Sequence, residues 1–293
     1  WMWTENAEAT TCSGHFLRVI SQESQQERNK MIRINQIKLD IGTDEKILNS
    51  KIQKLLRLKN SSFTYSIVKK SIDARKKEHI MYIYSVDVKV DGIDETALVR
   101  KLNNKDIIIN KNIKYVFPQI KDTHKNKKIA IIGSGPAGLF CGLLLARAGF
   151  KPVIYERGGN VHERTGIVNA FFETGVLDTE TNIQFGEGGA GTFSDGKLNS
   201  VIKEKDGRIR KVLETFVEFG ANPEILYVNK PHVGTDVLSV VVSNIRNEII
   251  RLGGTVNFNS KVTDIYIDTG KITGIRVNDE YDEEFNAVVL APG

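Results

Sequence analysis

Ile129-Ala130-Ile131-Ile132 runs directly into Gly133-Ser134-Gly135-Pro136-Ala137-Gly138, so an unbroken apolar tetrapeptide meets three glycines spaced G-x-G-x-x-G. Four consecutive apolar residues suit a central parallel strand covered on both faces. The next segment, LFCGLLLARAGF, reads as an apolar helix closed by Gly149. Each glycine then has its own duty. Gly133 makes the tight turn, Gly135 lets the backbone approach a pyrophosphate, and Gly138 lets the helix pack against the strand, with N–H groups at the helix N-terminus facing phosphate. Lys151-Pro152-Val153-Ile154-Tyr155-Glu156 reads as a second strand ending in an acid. Glu156 lies 18 residues past Gly138, near the roughly 20 expected for the carboxylate that takes ribose hydroxyls. Together these features predict a β-α-β unit holding a dinucleotide; the competing reading is an ordinary β-α-β unit with a glycine turn.

A chain of 293 residues is long enough for two cores, and its charge is unevenly spread. Residues 31–128 carry 22 basic against 11 acidic side chains, whereas residues 129–293 carry 16 against 21. A basic module can face nucleic acid, an anionic membrane or the acidic half itself. No RGG run, zinc knuckle or alternation of aromatic and basic residues accompanies the charge, so a solvated lysine-rich surface is the favoured reading. Cys12 and Cys141 are the only cysteines, which leaves no disulfide framework and no four-thiolate metal site, and no metal is expected. A reducing cytoplasm is the simplest compartment. Cys141 falls inside the apolar helix, where a small buried thiol is expected. No apolar run approaches the roughly 18 residues that span a bilayer.

Four segments are expected along the chain. Residues 1–30, with Trp1 and Trp3 at the tip and the polar run SQESQQERNK, read as a disordered or foreign leader before Met31. Residues 31–120 read as strand (IRINQIKLDI), helix (44–58), strand (FTYSIVKKSI), strand (IMYIYSVDVKV), helix (93–102) and a last strand near 113–117. That β-α-β-β-α-β order predicts a small ferredoxin-like α+β domain. Residues 121–128 are the linker. Residues 129–293 are the dinucleotide domain, a doubly wound parallel sheet, glycine-rich and weakly periodic over 160–235 except for a helix at 207–219, with another helix at 236–252. The segments TVNFNSKVTDIYID, KITGIRVN and EFNAVVLAPG are expected as three strands. Doubly wound domains continue past such a strand, so the domain is expected to be truncated at Gly293.

Gly186-Glu187-Gly188-Gly189-Ala190-Gly191-Thr192-Phe193-Ser194-Asp195-Gly196 places five glycines in eleven residues. Such density lets backbone N–H groups converge on an anion or lie against a flat ring. A flexible surface loop is the alternative, and the interleaved Phe185, Thr192, Phe193 and Ser194 argue for a cofactor-lining loop. The final Ala287-Val288-Val289-Leu290-Ala291-Pro292-Gly293 puts small residues at a strand's carboxyl end, where doubly wound sheets bind ligands; a core strand ending in a turn fits equally well.

Gly133–Gly138, Tyr155-Glu156-Arg157-Gly158, the expected strands around Lys261-Val262 and the closing Val-Leu-Ala-Pro-Gly resemble the two-dinucleotide-binding-domain FAD oxidoreductases. More narrowly, GEGGAGTFSDGKL and Lys230-Pro231-His232-Val233-Gly234-Thr235-Asp236 resemble the FAD-dependent dehydrogenases described as NAD(FAD)-utilising, which carry a small N-terminal α/β domain. The resemblance implies a Rossmann-like FAD domain with a β-meander and a flavin-borne oxidoreductase activity, with NAD(P)H as a candidate reductant. It places Gly133, Ser134, Gly135, Pro136, Ala137 and Gly138 at the pyrophosphate, Glu156 at the ribose, Val262 at the adenine through its backbone, and Gly188, Gly189, Ala190, Gly191 and Thr192 on the flavin side. Ala291 and Gly293 close the same site. Arg157 and Arg164 are candidates for phosphate pairing. His232, Lys197 and Asp195 are weak candidates for substrate contact or proton transfer, His232 for its pKa range; a structural histidine is the commoner case. The partner is a small-molecule substrate or electron acceptor. Two other readings stay open: a flavin monooxygenase of the aromatic-hydroxylase type, and a non-catalytic RNA-binding or scaffold protein with structural FAD.

Overall fold

A computed structural model of the chain describes residues 27–59, 61–118, 120, 126–198, 202 and 204–293. Most of the expected leader and of the linker lie outside these residues. The first unit contains β1 (Glu27–Asp40), α1 (Ile47–Leu55), β2 (Phe63–Asp73), β3 (Met81–Val90), α2 (Glu95–Leu102) and β4 (Ile107–Lys114). Its sheet runs β2-β3-β1-β4 with every neighbour antiparallel. Ile32, Ile34, Ile37 and Leu39 of β1 are buried with Leu48, Ile52 and Leu56, so the helices cover one face. Ile34 and Ile37 are three apart, a spacing that puts side chains of a regular strand on opposite faces. A bulge between them, with Gln36 at φ 58°, returns Ile37 to the buried side. α2 starts where the Asp94 carboxylate accepts the Thr96 and Ala97 N–H groups, and ends at left-handed Asn103.

The second unit follows as β5 (Ile129–Ile132), α3 (Pro136–Arg147), β6 (Val153–Tyr155), α4 (Val161–Thr174), α5 (Arg208–Glu218), α6 (Thr235–Arg251), β7 (Thr255–Asn257), β8 (Val262–Asp268), β9 (Lys271–Val277), β10 (Tyr281–Glu284) and β11 (Ala287–Leu290). β11-β5-β6-β7 form a parallel sheet. β10-β9-β8 form an antiparallel meander. Alternation along the central strands sorts the two faces. Ile131 and Ile154 pack with Leu139, Leu143, Val241, Ile245 and Ile249 of α3 and α6. Ala130 and Tyr155 pack on the other side with Ile275, Val277 and Phe285. Covering both faces explains the continuous apolar run of β5.

Several expected boundaries move. The last strand of the first unit is Ile107–Lys114 rather than 113–117, because the β-branched run 107–109 pairs with β1. β1 begins at Glu27, four residues before Met31. TVNFNSKVTDIYID is two strands: β7 joins the parallel sheet, the chain turns through Asn259 at φ 52°, and β8 enters the meander. The third meander strand is β10, while β11, within EFNAVVLAPG, returns to the parallel sheet beside β5. α4 lies within the segment expected to be weakly periodic.

The two units touch along the free edge of β2. The Lys70 N–H donates to the Tyr227 carbonyl at 2.7 Å, and the Asn229 N–H donates to the Lys70 carbonyl at 2.9 Å. Among the described residues no helix is long and apolar enough to cross a membrane, and no group of three or more His, Cys, Asp or Glu side chains is placed to hold a metal ion.

Candidate functional site

The turn between β5 and α3 is built as its glycines require. Gly133 has φ 101°, and a Cβ there would overlap the Ala291 carbonyl. A Cβ on Gly138 would overlap the Gly133 carbonyl, so the helix crosses the turn with no room for a side chain. Gly135 differs: a Cβ there would meet nothing within 4 Å. It is the N-cap of α3, with no side-chain cap, and Pro136 has no N–H to satisfy. Open space therefore lies before a helix N-terminus whose positive dipole end is uncapped, a suitable berth for phosphate.

Glu156 ends β6 and is buried. Its Oε2 accepts the Ser134 N–H and the Ser134 hydroxyl, both at 2.8 Å, and its Oε1 accepts the Gly158 N–H at 3.0 Å. The carboxylate thus ties the glycine turn to the end of β6 while Oε1 retains acceptor capacity. The Ser260 N–H donates to the Glu156 carbonyl at 2.8 Å, bringing the start of β8, and with it Val262, next to the acid.

The second glycine-rich segment is packed onto this turn. The Gly188 N–H donates to the Ser134 carbonyl at 3.0 Å, and the Cβ position of Gly189, at φ 68°, lies 2.8 Å from Pro136 Cδ. Gly189–Phe193 is a 3₁₀ turn. Gly188 has φ 80°, and a Cβ there would press on Thr192 and Val242. At the other end of the site, Ala291 donates its N–H to Ile132, and the Cβ position of Gly293 lies 3.4 Å from the Phe185 ring. Gly133–Gly138, Glu156, Gly188–Thr192, Val262, Ala291 and Gly293 therefore converge on the carboxyl end of the parallel sheet, across 160 positions of sequence.

The arginines behave differently. Arg164, fully buried on α4, turns its guanidinium into the loop. Nε donates to Asn182, Nη1 to the carbonyls of Glu187 and Gly189 and to the Thr192 hydroxyl, and Nη2 to Ile183, with Phe193 stacked at 4.8 Å. Burial lowers its pKa to about 10. Its fork is occupied by carbonyls, so here it shapes the loop rather than pairing with phosphate. Arg157 is exposed and paired with Glu180, which also meets Lys261.

Sequence reasoning passed over Glu187 and Arg246. The fully buried Glu187 carboxylate takes Arg246 Nη1 at 2.6 and 2.8 Å and the Val161 N–H at 2.7 Å. Burial raises the carboxyl above its ordinary range, against the pull of Arg246. The partners lie 59 positions apart, a separation no local pattern reveals. Glu187 itself was visible, as one of two acids, with Asp195, among the glycines.

Asp195, Lys197 and His232 are brought together. Leu198 donates its N–H to Pro231 and Val233 donates its N–H to Gly196, forming a short antiparallel ladder with Lys197 opposite His232. Lys197 pairs with Asp195 at 2.6 Å, both exposed, which holds the Asp195 carboxyl below its ordinary range and raises Lys197. Cys141 is half-buried; burial pushes its thiol up to about 11, so it stays protonated and unreactive near neutral pH.

Two family models match the chain. One, described as pyridine nucleotide-disulphide oxidoreductase, matches residues 127–293. The other, a domain of unknown function, matches residues 31–89. An uncharacterized protein of Clostridium beijerinckii is 45% identical over 264 residues, covering 89% of this chain and 48% of that protein, so the chain spans about half the length of that relative. The small chain of NADPH glutamate synthase from Halomonas elongata is 54% identical over 37 residues, 13% of this chain and 8% of that one. Among solved structures, THI4 of Thermovibrio ammonificans is 21% identical with a TM-score of 0.35, covering 58% of this chain and 59% of that one. Glycine oxidase of Bacillus cereus is 16% identical with a TM-score of 0.32, covering 57% and 55%.

Proposed function

The chain belongs to the pyridine nucleotide-disulphide oxidoreductase family, and from that membership we propose that it is an FAD-dependent dehydrogenase passing electrons or hydride between NAD(P)H and a small-molecule substrate. Membership supports a flavoprotein oxidoreductase with a Rossmann-like FAD/NAD(P)-binding domain, FAD as cofactor and NAD(P)H as pyridine nucleotide. The observation that carries the finer reading is the docking of the 186–193 loop on the dinucleotide turn, through Gly188 to Ser134 and Gly189 against Pro136. A nucleotide-binding turn alone needs no second glycine-rich loop.

The residues fit FAD. Gly135 offers open space, and Ala137 and Gly138 backbone N–H groups, to a pyrophosphate; Glu156 Oε1 offers an acceptor to ribose; the backbone at Val262 lies beside Glu156 for adenine; and Gly188–Thr192 with Ala291 and Gly293 flank the flavin side. When bound, the flavin supplies the redox chemistry. The protein's part is to bind, orient and exclude water. Cys12 and Cys141 are 129 positions apart, and Cys141 is held as a neutral thiol, so an adjacent redox dithiol is not among these residues. We also propose that residues 31–120 form a separate ferredoxin-like domain, supported by the sheet order β2-β3-β1-β4.

The test is an absorbance spectrum and acid extraction of the purified protein, followed by anaerobic reduction with NADH and NADPH. FAD in the extract and bleaching of the flavin band by one nucleotide are expected. Absence of flavin after reconstitution with FAD would overturn the reading.

A further inference from the structure

A cleft of about 750 Å³ opens between the two units, a volume usual for small-molecule sites. One wall is the face of the first sheet turned away from α1 and α2. There the bulge of β1 between Ile34 and Ile37 and the bulge of β2 between Ile67 and Lys69 both fall beside Ser85 of β3, which pairs with Lys69. Bulges re-aim side chains, and Asn35, Val68, Lys69 and Ser85 all line the cleft. The facing wall is apolar: Ile209, Val212, Leu213 and Phe216 of α5, with Ile225 and Leu226 beyond. The end wall contains Lys197, Leu198, Lys230 and Pro231, from the ladder that also carries Asp195 and His232.

The charge on these walls has one sign. Arg33, Lys69, Lys197 and Lys230 line the cleft, and no carboxylate does among the described residues. Arg33 is bonded to Asp87 through Nε and Nη2, and Lys197 is paired with Asp195. Lys69 and Lys230 are both exposed. Among the described residues neither has an acidic partner, so they bring two unpaired positive charges to the mouth of an apolar pocket. An apolar amine or a polyanion would match only one half of this surface.

We propose that this cleft binds an amphipathic carboxylate, its apolar body against α5 and its anion at Lys69 and Lys230, and that such a molecule is the substrate class of the oxidoreductase. The substrate assignment rests on the flavin reading above; the binding site does not. Lys197 connects the two regions, lining the cleft four residues beyond the 3₁₀ turn of the flavin-side loop.

Calorimetric titration of the flavin-loaded protein with dodecanoate, dodecanol and dodecylammonium, each below its aggregation threshold, tests the site. Dodecanoate should bind once per chain and more tightly than either analogue. The pair of changes Lys69→Gln and Lys230→Gln should weaken it about tenfold, a loss of 1.4 kcal/mol, while Lys101→Gln on α2 leaves it unchanged. Val212→Glu, placing a negative charge on the apolar wall, should abolish it. Undiminished affinity in the double variant, equal affinity for dodecylammonium, or no dodecanoate binding would overturn the proposal. Flavin content of each variant is read from its spectrum, so a failure of the flavin reading shows separately.

Discussion

Glu156 carries two duties that substitutions can separate. Its carboxylate satisfies the buried Ser134 N–H and hydroxyl and the Gly158 N–H, so Glu156→Ala leaves buried donors unmet and should lower apo-protein stability by about 1–3 kcal/mol. Glu156→Gln keeps an acceptor for the turn but removes the charge. It should lose less apo stability than Glu156→Ala while binding FAD about 1–2 kcal/mol more weakly; unchanged affinity in a flavin titration would remove Glu156 from the ribose site. Arg164 leads to the opposite expectation. Because its guanidinium bonds loop carbonyls rather than open space, Arg164→Ala should destabilise the apo protein by roughly 3–5 kcal/mol, since several buried carbonyls lose their donor at about 1–3 kcal/mol each. A variant that melts normally and loses only flavin would restore the phosphate-pairing role. Gly189→Ala tests the loop: its backbone is left-handed and a Cβ lies 2.8 Å from Pro136 Cδ, so a strain of about 1–3 kcal/mol is expected. That strain should lower the melting temperature of the apo protein, and flavin affinity should fall as well if the loop lines the cofactor; a drop in melting temperature with unchanged flavin affinity would make the loop structural only.

At the scale of elements, the contact between β2 and residues 227–229 sits beside an ionic cluster whose pH response follows from its geometry. Lys70 Nζ bonds Glu45 Oε1 at 2.7 Å, and the Tyr84 hydroxyl donates to the same oxygen at 2.8 Å. Lys70, then Tyr84, hold the Glu45 carboxyl below its ordinary 4.5 against the opposing effect of burial. A carboxylate with a depressed folded pKa stabilises the fold above its unfolded pKa, and that contribution disappears as pH falls through the folded value. Glu45→Gln should therefore cost less than about 1 kcal/mol at pH 7, given its part exposure. The difference in melting temperature from the parent should shrink progressively as pH falls below about 4.5, and a gap that stays constant across the acid range would exclude ionisation as its cause. Legibility in the sequence also divides by element. β5, α3, β6 and Glu156 were readable because a local pattern specifies them completely. α4 escaped because its buried face is only Val161, Arg164 and Val168, too sparse for an apolar period, although Asn160 and Glu163 spell a capping box. The break between β7 and β8 escaped because the turn at Asn259 has neither Gly nor Pro, and both strands share the same apolar alternation. The Glu187–Arg246 pair and the ladder joining Lys197 to His232 are tertiary, and nothing local encodes them.

For the whole molecule, the basic and acidic halves of the sequence are two cores that meet over a limited seam. The dinucleotide turn, its sheet and the α3–α6 layer draw on Ile131, Leu139, Leu143, Ile154 and Val241, with no residue of the first unit in that cluster. The seam instead joins Lys70 to Tyr227 and Asn229, and sets Gly207, just before α5, against Ile113 and Tyr115 of the first unit. Deletion of residues 31–120 should consequently act unevenly. FAD binding should survive, because none of its proposed contacts comes from the first unit. The segment 207–229 should loosen, because it loses its strand-edge hydrogen bonds and α5 loses the opposite wall of the cleft. Hydrogen exchange on a chain beginning at residue 126 is the measurement: amides of Ile129–Ile132 and Val153–Tyr155 should stay protected while those of 208–229 exchange faster, since few buried contacts then hold them. Dodecanoate binding should vanish with the cleft even though the flavin spectrum persists. A shortened chain that is folded yet cannot take up flavin would show that the first unit shapes the cofactor site, and the two cores would then have to be treated as a single functional body.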